Sequence, residues 1–412
     1  MPGPRRATTV GSTLWIITLA ALTAVVALSI DMSLPAQPTL ATRFAVPSET
    51  AQLTLSLFIL GFAGAQIFVG YLSDAYGRRP VLLAGLGVLA IAAIACAASP
   101  SIEVLIAFRV LQGAGAAAAP VVARAMVRDT QPAAQAARLL ATMLAALAIA
   151  PMVAPILGGW LLRVFDWRAI FATLAVTGVA ILVISHLTLV ETLPPERRRP
   201  PSIRGLFRSY ARFVSTPGTV LPMLVSCASF AGQFAYIADS PFVLMGGYGV
   251  SPDDFGFYFA TTAFALMLGS LTGGRLLRAG RSPGAMTVVG TSIFVVAGVL
   301  VVLGTRFEEL GIVGFMLPMV LYFFGSGISS PSATALAMEP VPELAGTASA
   351  AIGCSVMVAG AISGYETTRI GGSSPRTFAL VAAAMGGLAF TLAIAAAVRR
   401  RVARRQKQQE SR

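Results

Sequence analysis

Histidine occurs once in this chain, at His186, and lysine once, at Lys407. One histidine rules out an HExxH zinc site and any His-based metal centre. One lysine, close to the C-terminus, rules out the GxxxxGK[ST] phosphate loop of ATP-driven pumps. Cysteine is scarce too. Cys96, Cys227 and Cys354 all fall within apolar runs and lack CxxC spacing, so they are read as packing residues, with neither a disulfide frame nor a metal site. No metal and no cofactor is expected. Charge is the largest deficit: 11% of the 412 residues are charged and 56% are hydrophobic, whereas a soluble domain carries about 25% charge. That leaves too little polar surface for a water-soluble fold, and the chain reads as a multi-pass membrane protein.

What is present is a series of apolar runs of spanning length. They lie at 14–41, 50–74, 79–98, 102–126, 136–162 and 166–190, then at 218–247, 254–278, 283–304, 309–337, 344–366 and 375–398. The first run is too long for a cleaved leader and is read as the first span. The expected fold is therefore an all-α membrane protein of twelve transmembrane helices in two six-helix halves. The expected divisions are an N-terminal half at 1–190, a basic linker at 191–217, a C-terminal half at 218–398 and a basic tail at 399–412.

The formal charge of +13 follows from topology. If both termini face the cytoplasm, the inner side collects Arg5, Arg6, Arg78, Arg79, Arg124, Arg128 and Arg138. It also collects Arg197, Arg198, Arg199, Arg204, Arg208 and Arg212 in the linker, then Arg275, Arg278, Arg281 and the seven bases of the tail, 23 of the 30 in all. The outer side holds six, and Arg109 lies inside a span. The positive-inside rule predicts this asymmetry, so the excess charge needs no nucleic-acid partner. The basic tail is suited to anionic lipid. The expected location is a bacterial inner membrane, and the expected functional form a monomer.

The halves also repeat. "YGRRP" at 76–80 after the second span matches "AGRSP" at 279–283 after the eighth, with Gly70 and Gly273 at the same offset before each. Two parallel halves related by an axis along the membrane normal leave this kind of trace.

Charges within spans are costly and mark function. Asp31, about 17 residues into the first span, and Arg109, about seven into the fourth, fall at similar depth in the outer half by helix rise. They are expected to pair across the bundle and cycle a proton; the alternative is a static ion pair. Asp239, late in the seventh span, is a proton or substrate acid or an acid at the outer mouth, and Glu366 is interfacial. Arg109, Gln112 and Gly113 share one helix face. In "APMVAPILGGW", Pro151 and Pro155 followed by Gly158 and Gly159 suggest a passive kink or a bend at a moving interface. Candidate substrate-facing side chains are Phe58, Phe62, Gln66, Gln112, Phe230, Gln233, Tyr236 and Tyr258.

In "GYLSDAYGRRPV", at 70–81, Gly77 suits a helix C-terminal cap and Pro80 the start of the next helix. Asp74, at a helix C-terminus, requires a compensating partner: either Arg78 or the N-terminus of another helix.

Together these segments resemble the major facilitator superfamily, and within it the bicyclomycin-resistance-type (Bcr/CflA) exporters, through nearly the whole chain. "GYLSDAYGRRPVLLAG" resembles the superfamily's loop signature at Gly70, Asp74, Gly77, Arg78 and Arg79, with Ala75 replacing the usual basic residue. "RVLQGAGAA" resembles the fourth-helix signature, and "APILGG" the antiporter signature of the fifth, with Ala154 where Gly is usual. "IDMSLPAQPTL", "VARAMVRD", "ETLPPERR" and "SPFVLM" resemble exporter segments. The resemblance implies a proton/drug antiporter rather than an enzyme, with protons and small amphipathic compounds as its partners. It also implies that Asp74 reaches the eleventh helix; Asp74 and Arg78 are expected to latch the outward-facing state by pairing at the cytoplasmic side. A nutrient or metabolite transporter on the same fold is the alternative.

Overall fold

A computed structural model describes residues 11–198, 203–371 and 374–410. All regular structure among them is helical. In chain order the α-helices are α1 (Thr13–Asp31), α2 (Gln37–Phe44), α3 (Ser48–Tyr76), α4 (Arg78–Ala97), α5 (Ile102–Ala116), α6 (Ala118–Thr130), α7 (Ala133–Val164) and α8 (Trp167–Thr188). They continue with α9 (Ile203–Ser215), α10 (Val220–Pro241), α11 (Pro252–Arg278), α12 (Pro283–Gly304), α13 (Gly311–Met338), α14 (Ala345–Gly371) and α15 (Pro375–Glu410). Among the described residues twelve segments are long and apolar enough to cross a bilayer, the number expected from the apolar runs.

Several helices begin where a side chain meets an otherwise unpaired N–H. Ser12 accepts from Trp15 N, Ser101 from Val104 N, Asp166 from Arg168 N and Ser282 from Ala285 N. The spans differ from uniform rods where proline removes a donor. The first span, expected as one run, breaks after Asp31 into a 3₁₀ turn at Leu34–Ala36 and then α2, with Pro35 and Pro38 in the break. The fourth divides at Ala117, three residues before Pro120. The seventh passes at Pro241 into a six-residue π-helix, Phe242–Gly247. The last runs beyond 398 to Glu410.

The chain forms two compact units, one of residues up to 202 with 251–259, the other of 203–250 with 260 onward. In the first, α3 packs on α5, α4 on α5 and α8, and α1 on α7. A methyl at Gly113 would overlap the Phe58 carbonyl, and one at Gly61 the Val110 carbonyl, so these glycines let α3 and α5 touch backbone to backbone. In the second, α12 packs on α13, and α10 on α14 and α15.

Candidate functional site

In the first unit the site centres on Arg109 of α5, which is fully buried. Its Nε donates to Thr54 O at 2.9 Å on α3, and one Nη to Ser29 O at 3.0 Å and Gln112 Oε1 at 2.8 Å. The other Nη reaches Ser33 Oγ at 3.4 Å. Beneath the guanidinium lies the Phe58 ring, 4.3 Å to its centroid, with Phe171 at 5.7 Å. Every acceptor is neutral. The cation is held by carbonyl dipoles, a hydroxyl, an amide and aromatic faces.

The expected Asp31–Arg109 ion pair does not form. The two groups arginine grips on the first span are the Ser29 carbonyl in the last turn of α1 and the Ser33 hydroxyl just past its end. Asp31, two residues from each, lies about 200° around the helix from Ser29. Asp31 is 4% exposed, and its carboxyl group has no hydrogen bond or ion pair among the described residues. Behind it α7 approaches closely: a methyl at Gly158 would overlap the Met32 carbonyl. Gly159 is in the same relation to the Pro252 carbonyl. These glycines serve close packing, and α7 runs helically through Pro151 and Pro155.

A second cluster lies at the turn from α3 to α4. Gly77 has φ 105°, a value that favours glycine, and a methyl there would come 2.5 Å from Glu191 Oε2. That space is filled by a carboxylate. Glu191, just beyond α8, accepts from Arg78 N at 2.9 Å and Arg79 N at 3.2 Å, and also from the N–H groups of Thr192 and Leu193. An acid thus caps the positive end of α4. In return Arg79 donates to His186 O and Leu189 O, both at 2.8 Å, satisfying carbonyls at the end of α8. The Arg78 side chain pairs with Asp74 at 2.5 Å and Asp129 of α6 at 2.9 Å, and donates to Ser73 Oγ at 2.7 Å. Of the two partners foreseen for Asp74, the nearby arginine is the one observed within this unit. Gly70 has only an ordinary contact with Val121.

The corresponding turn in the second unit also carries a positive-φ glycine, Gly280, at 86°. There Ser282 takes the capping role, and Arg281 has no ion pair among the described residues. The repeat keeps its positive-φ glycine and loses its acid clamp.

Asp239 on α10 is fully buried, and neither carboxylate oxygen has a hydrogen-bond partner. The Thr368 hydroxyl beside it donates to Gly364 O. Asp239 is thus a core acid of the second unit and not one at an exposed mouth. Glu366 is half-exposed and pairs with Arg369 at 3.2 Å.

The foreseen substrate-facing residues separate into two groups. Phe58 and Tyr236 are fully buried in packing, the first under Arg109 and the second in a ring cluster with Phe315, Phe323 and Phe378. A ring closed in on all sides lines no chamber here. Gln112 is committed to Arg109. Phe62 is nearly buried, and Gln233 is 5% exposed and donates to Ser229 O. Phe230, stacked on Phe234, remains part-exposed, as do Gln66 and Tyr258.

A family model described as the Major Facilitator Superfamily matches residues 19–364. The chain belongs to that superfamily. It is similar to a bicyclomycin resistance protein homolog of Haemophilus influenzae, 29% identical over 85% of this chain and 88% of the relative. It is also similar to multidrug resistance protein D of Escherichia coli, 29% identical over 82% and 84%. A solved peptide transporter shares the fold, with TM-score 0.77, 15% identity and 97% of each chain covered. This superfamily member is a multi-pass membrane transporter.

Sequence reasoning missed two acids of the turn cluster, Asp129 and Glu191. The signal was present: adjacent arginines in a chain with only 17 acids, one acid in their own loop, and acids directly after the fourth and sixth spans.

Proposed function

We propose that this protein is a proton-coupled antiporter that exports small amphipathic drugs across a bacterial inner membrane, as a monomer with both termini in the cytoplasm. The observation that carries the reading is Asp31, buried within a span and unpaired although an arginine is anchored to the same span through Ser29 and Ser33. A carboxylate without a counter-ion in a bilayer is costly, whereas a carboxylic acid is tolerated. An unpaired acid is therefore kept at little cost only if it carries a proton, which it can exchange when the site meets water. Arg109 orients the first span around that acid by gripping Ser29 and Ser33, and Asp239 is a second acid of the same kind. The names of the two bacterial relatives support drugs as the cargo, and the arginine distribution supports the orientation.

In the same reading Gly70, Asp74, Gly77, Arg78 and Arg79 form the latch of the transport cycle, and Pro151, Pro155, Gly158 and Gly159 a bending segment. Phe62, Gln66, Phe230 and Tyr258 contact the cargo. The test is proton release from acid-loaded inverted vesicles as compounds are added. Bicyclomycin, phenicols or lipophilic cations should collapse the gradient with the wild type and not with Asp31→Asn. A wild-type protein inert to the whole panel, or an unimpaired Asp31→Asn variant, overturns the proposal.

A further inference from the structure

The helix joining the two sets of six spans, α9, sorts its side chains into three rows. Leu206, Tyr210 and Phe213 form the row that docks on the second unit. Phe213 is fully buried in a cluster with Met223, Cys227, Val341 and Ile352. Burial together with the neighbouring Cys354 thiol pushes the Tyr210 phenol up to about 12. The Phe213 carbonyl also accepts from Thr219 Oγ1 at 2.8 Å, which fixes α9 to the start of α10.

The second row, Arg204, Arg208 and Arg212, is exposed along one edge. Arg212 reaches Glu343 at 2.9 Å, whereas Arg204 and Arg208 have no ion pair or hydrogen bond among the described residues. Between these rows runs a third: Phe207, Ala211 and Val214, at i, i+4 and i+7. Phe207 is 56% exposed and Val214 54%. A helix within a soluble surface has no use for an open aromatic and aliphatic stripe beside a row of free arginines. A helix lying in a membrane interface needs both: apolar side chains for the acyl boundary and cations at phosphate level. The position fits, because α9 ends five residues before the span that opens with Val220.

We propose that α9 lies on the membrane as an interfacial helix that binds anionic phospholipid, with Phe207 and Val214 inserted below the headgroups and Arg204 and Arg208 on lipid phosphates. The lipid surface is the cytoplasmic leaflet, which rests on the orientation proposed above. α9 is thereby a lipid-sensing strap between the two sets of spans, coupling headgroup charge to the position of α10.

The full-length protein is tested by spin-labelling Phe207→Cys in a Cys354→Ala background and reconstituting it in vesicles with or without phosphatidylglycerol. With the anionic lipid, the label should collide with dissolved oxygen more often than with an aqueous nickel chelate. In purely phosphatidylcholine vesicles the order should reverse, and Arg204→Gln/Arg208→Gln should reverse it in anionic vesicles too. Val214→Cys should repeat the pattern if the first label disturbs the helix. Equal chelate access in both lipids overturns the proposal, as does protection that appears only on adding a soluble polyanion such as heparin. Labelling of Ser209→Cys by an impermeant maleimide in inverted vesicles but not in whole cells checks the side. The opposite result would fault the orientation and leave the lipid contact standing.

Discussion

Arg109 and Asp31 differ in what their removal should do. The arginine is built into its surroundings. Lysine, a single point donor, cannot reach Thr54 O, Ser29 O, Gln112 Oε1 and Ser33 Oγ together. Arg109→Lys should therefore lower stability by about 1–3 kcal/mol through unsatisfied buried groups, read as a reduced melting temperature of the purified protein, along with loss of transport. Asp31 has no partner to lose. Asp31→Asn should therefore lower stability less than Arg109→Lys does, while proton coupling disappears. Because the two side chains share no contact, their stability effects should add in a double-mutant cycle. A coupling energy above about 1 kcal/mol would restore the ion pair that the side-chain geometry disfavours.

At the scale of elements, α4 and α8 exchange caps. Glu191 takes the first N–H groups of α4, and Arg79 takes the last carbonyls of α8. Glu191→Ala should cost about 1–2 kcal/mol, the range for a lost N-cap, measured by thermal unfolding in detergent. Gly77→Ala should cost a comparable amount, because its methyl meets the same carboxylate and its φ of 105° is strained. Arg78 lies between Asp74 and Asp129. Asp74→Asn alone should slow turnover without unfolding the protein, since Asp129 keeps the guanidinium in position. Asp74→Asn/Asp129→Asn should remove both ion pairs and leave Arg78 only its hydrogen bond to Ser73 Oγ, so that adding Arg78→Gln should change transport far less than Arg78→Gln does in the wild type. The turn was legible in the sequence as a turn: Gly77, the two arginines and Pro80 all carry local rules. Its distant acids, Asp129 and Glu191, were not assigned to it, because Glu191 comes from 113 residues away.

For the whole molecule, the legible part is the count of spans, and the reason is solvent. In a bilayer every backbone group must be satisfied within the segment, so an apolar run of sufficient length is a helix. The breaks at Pro35, Pro120 and Pro241 follow from proline's missing donor. Packing depends on glycines at backbone contacts. Gly113→Leu, which would drive a side chain into the Phe58 carbonyl, should separate α3 from α5 and remove the folded protein from the membrane fraction, whereas Gly64→Leu, with open space around it, should be tolerated.

By itself the sequence determined twelve spans, their bias of positive charge, the turn at Gly77 and the presence of ionisable residues within spans at Asp31, Arg109 and Asp239, because each depends on neighbours within one or two turns or on the solvent alone. Only the tertiary structure decided what those charges touch. Depth along a span suggested that Asp31 and Arg109 could meet, but rotation about the helix axis brings Ser29 and Ser33 to the arginine instead. That rotation is set by how α1 packs against its neighbours, through contacts between residues far apart in the chain.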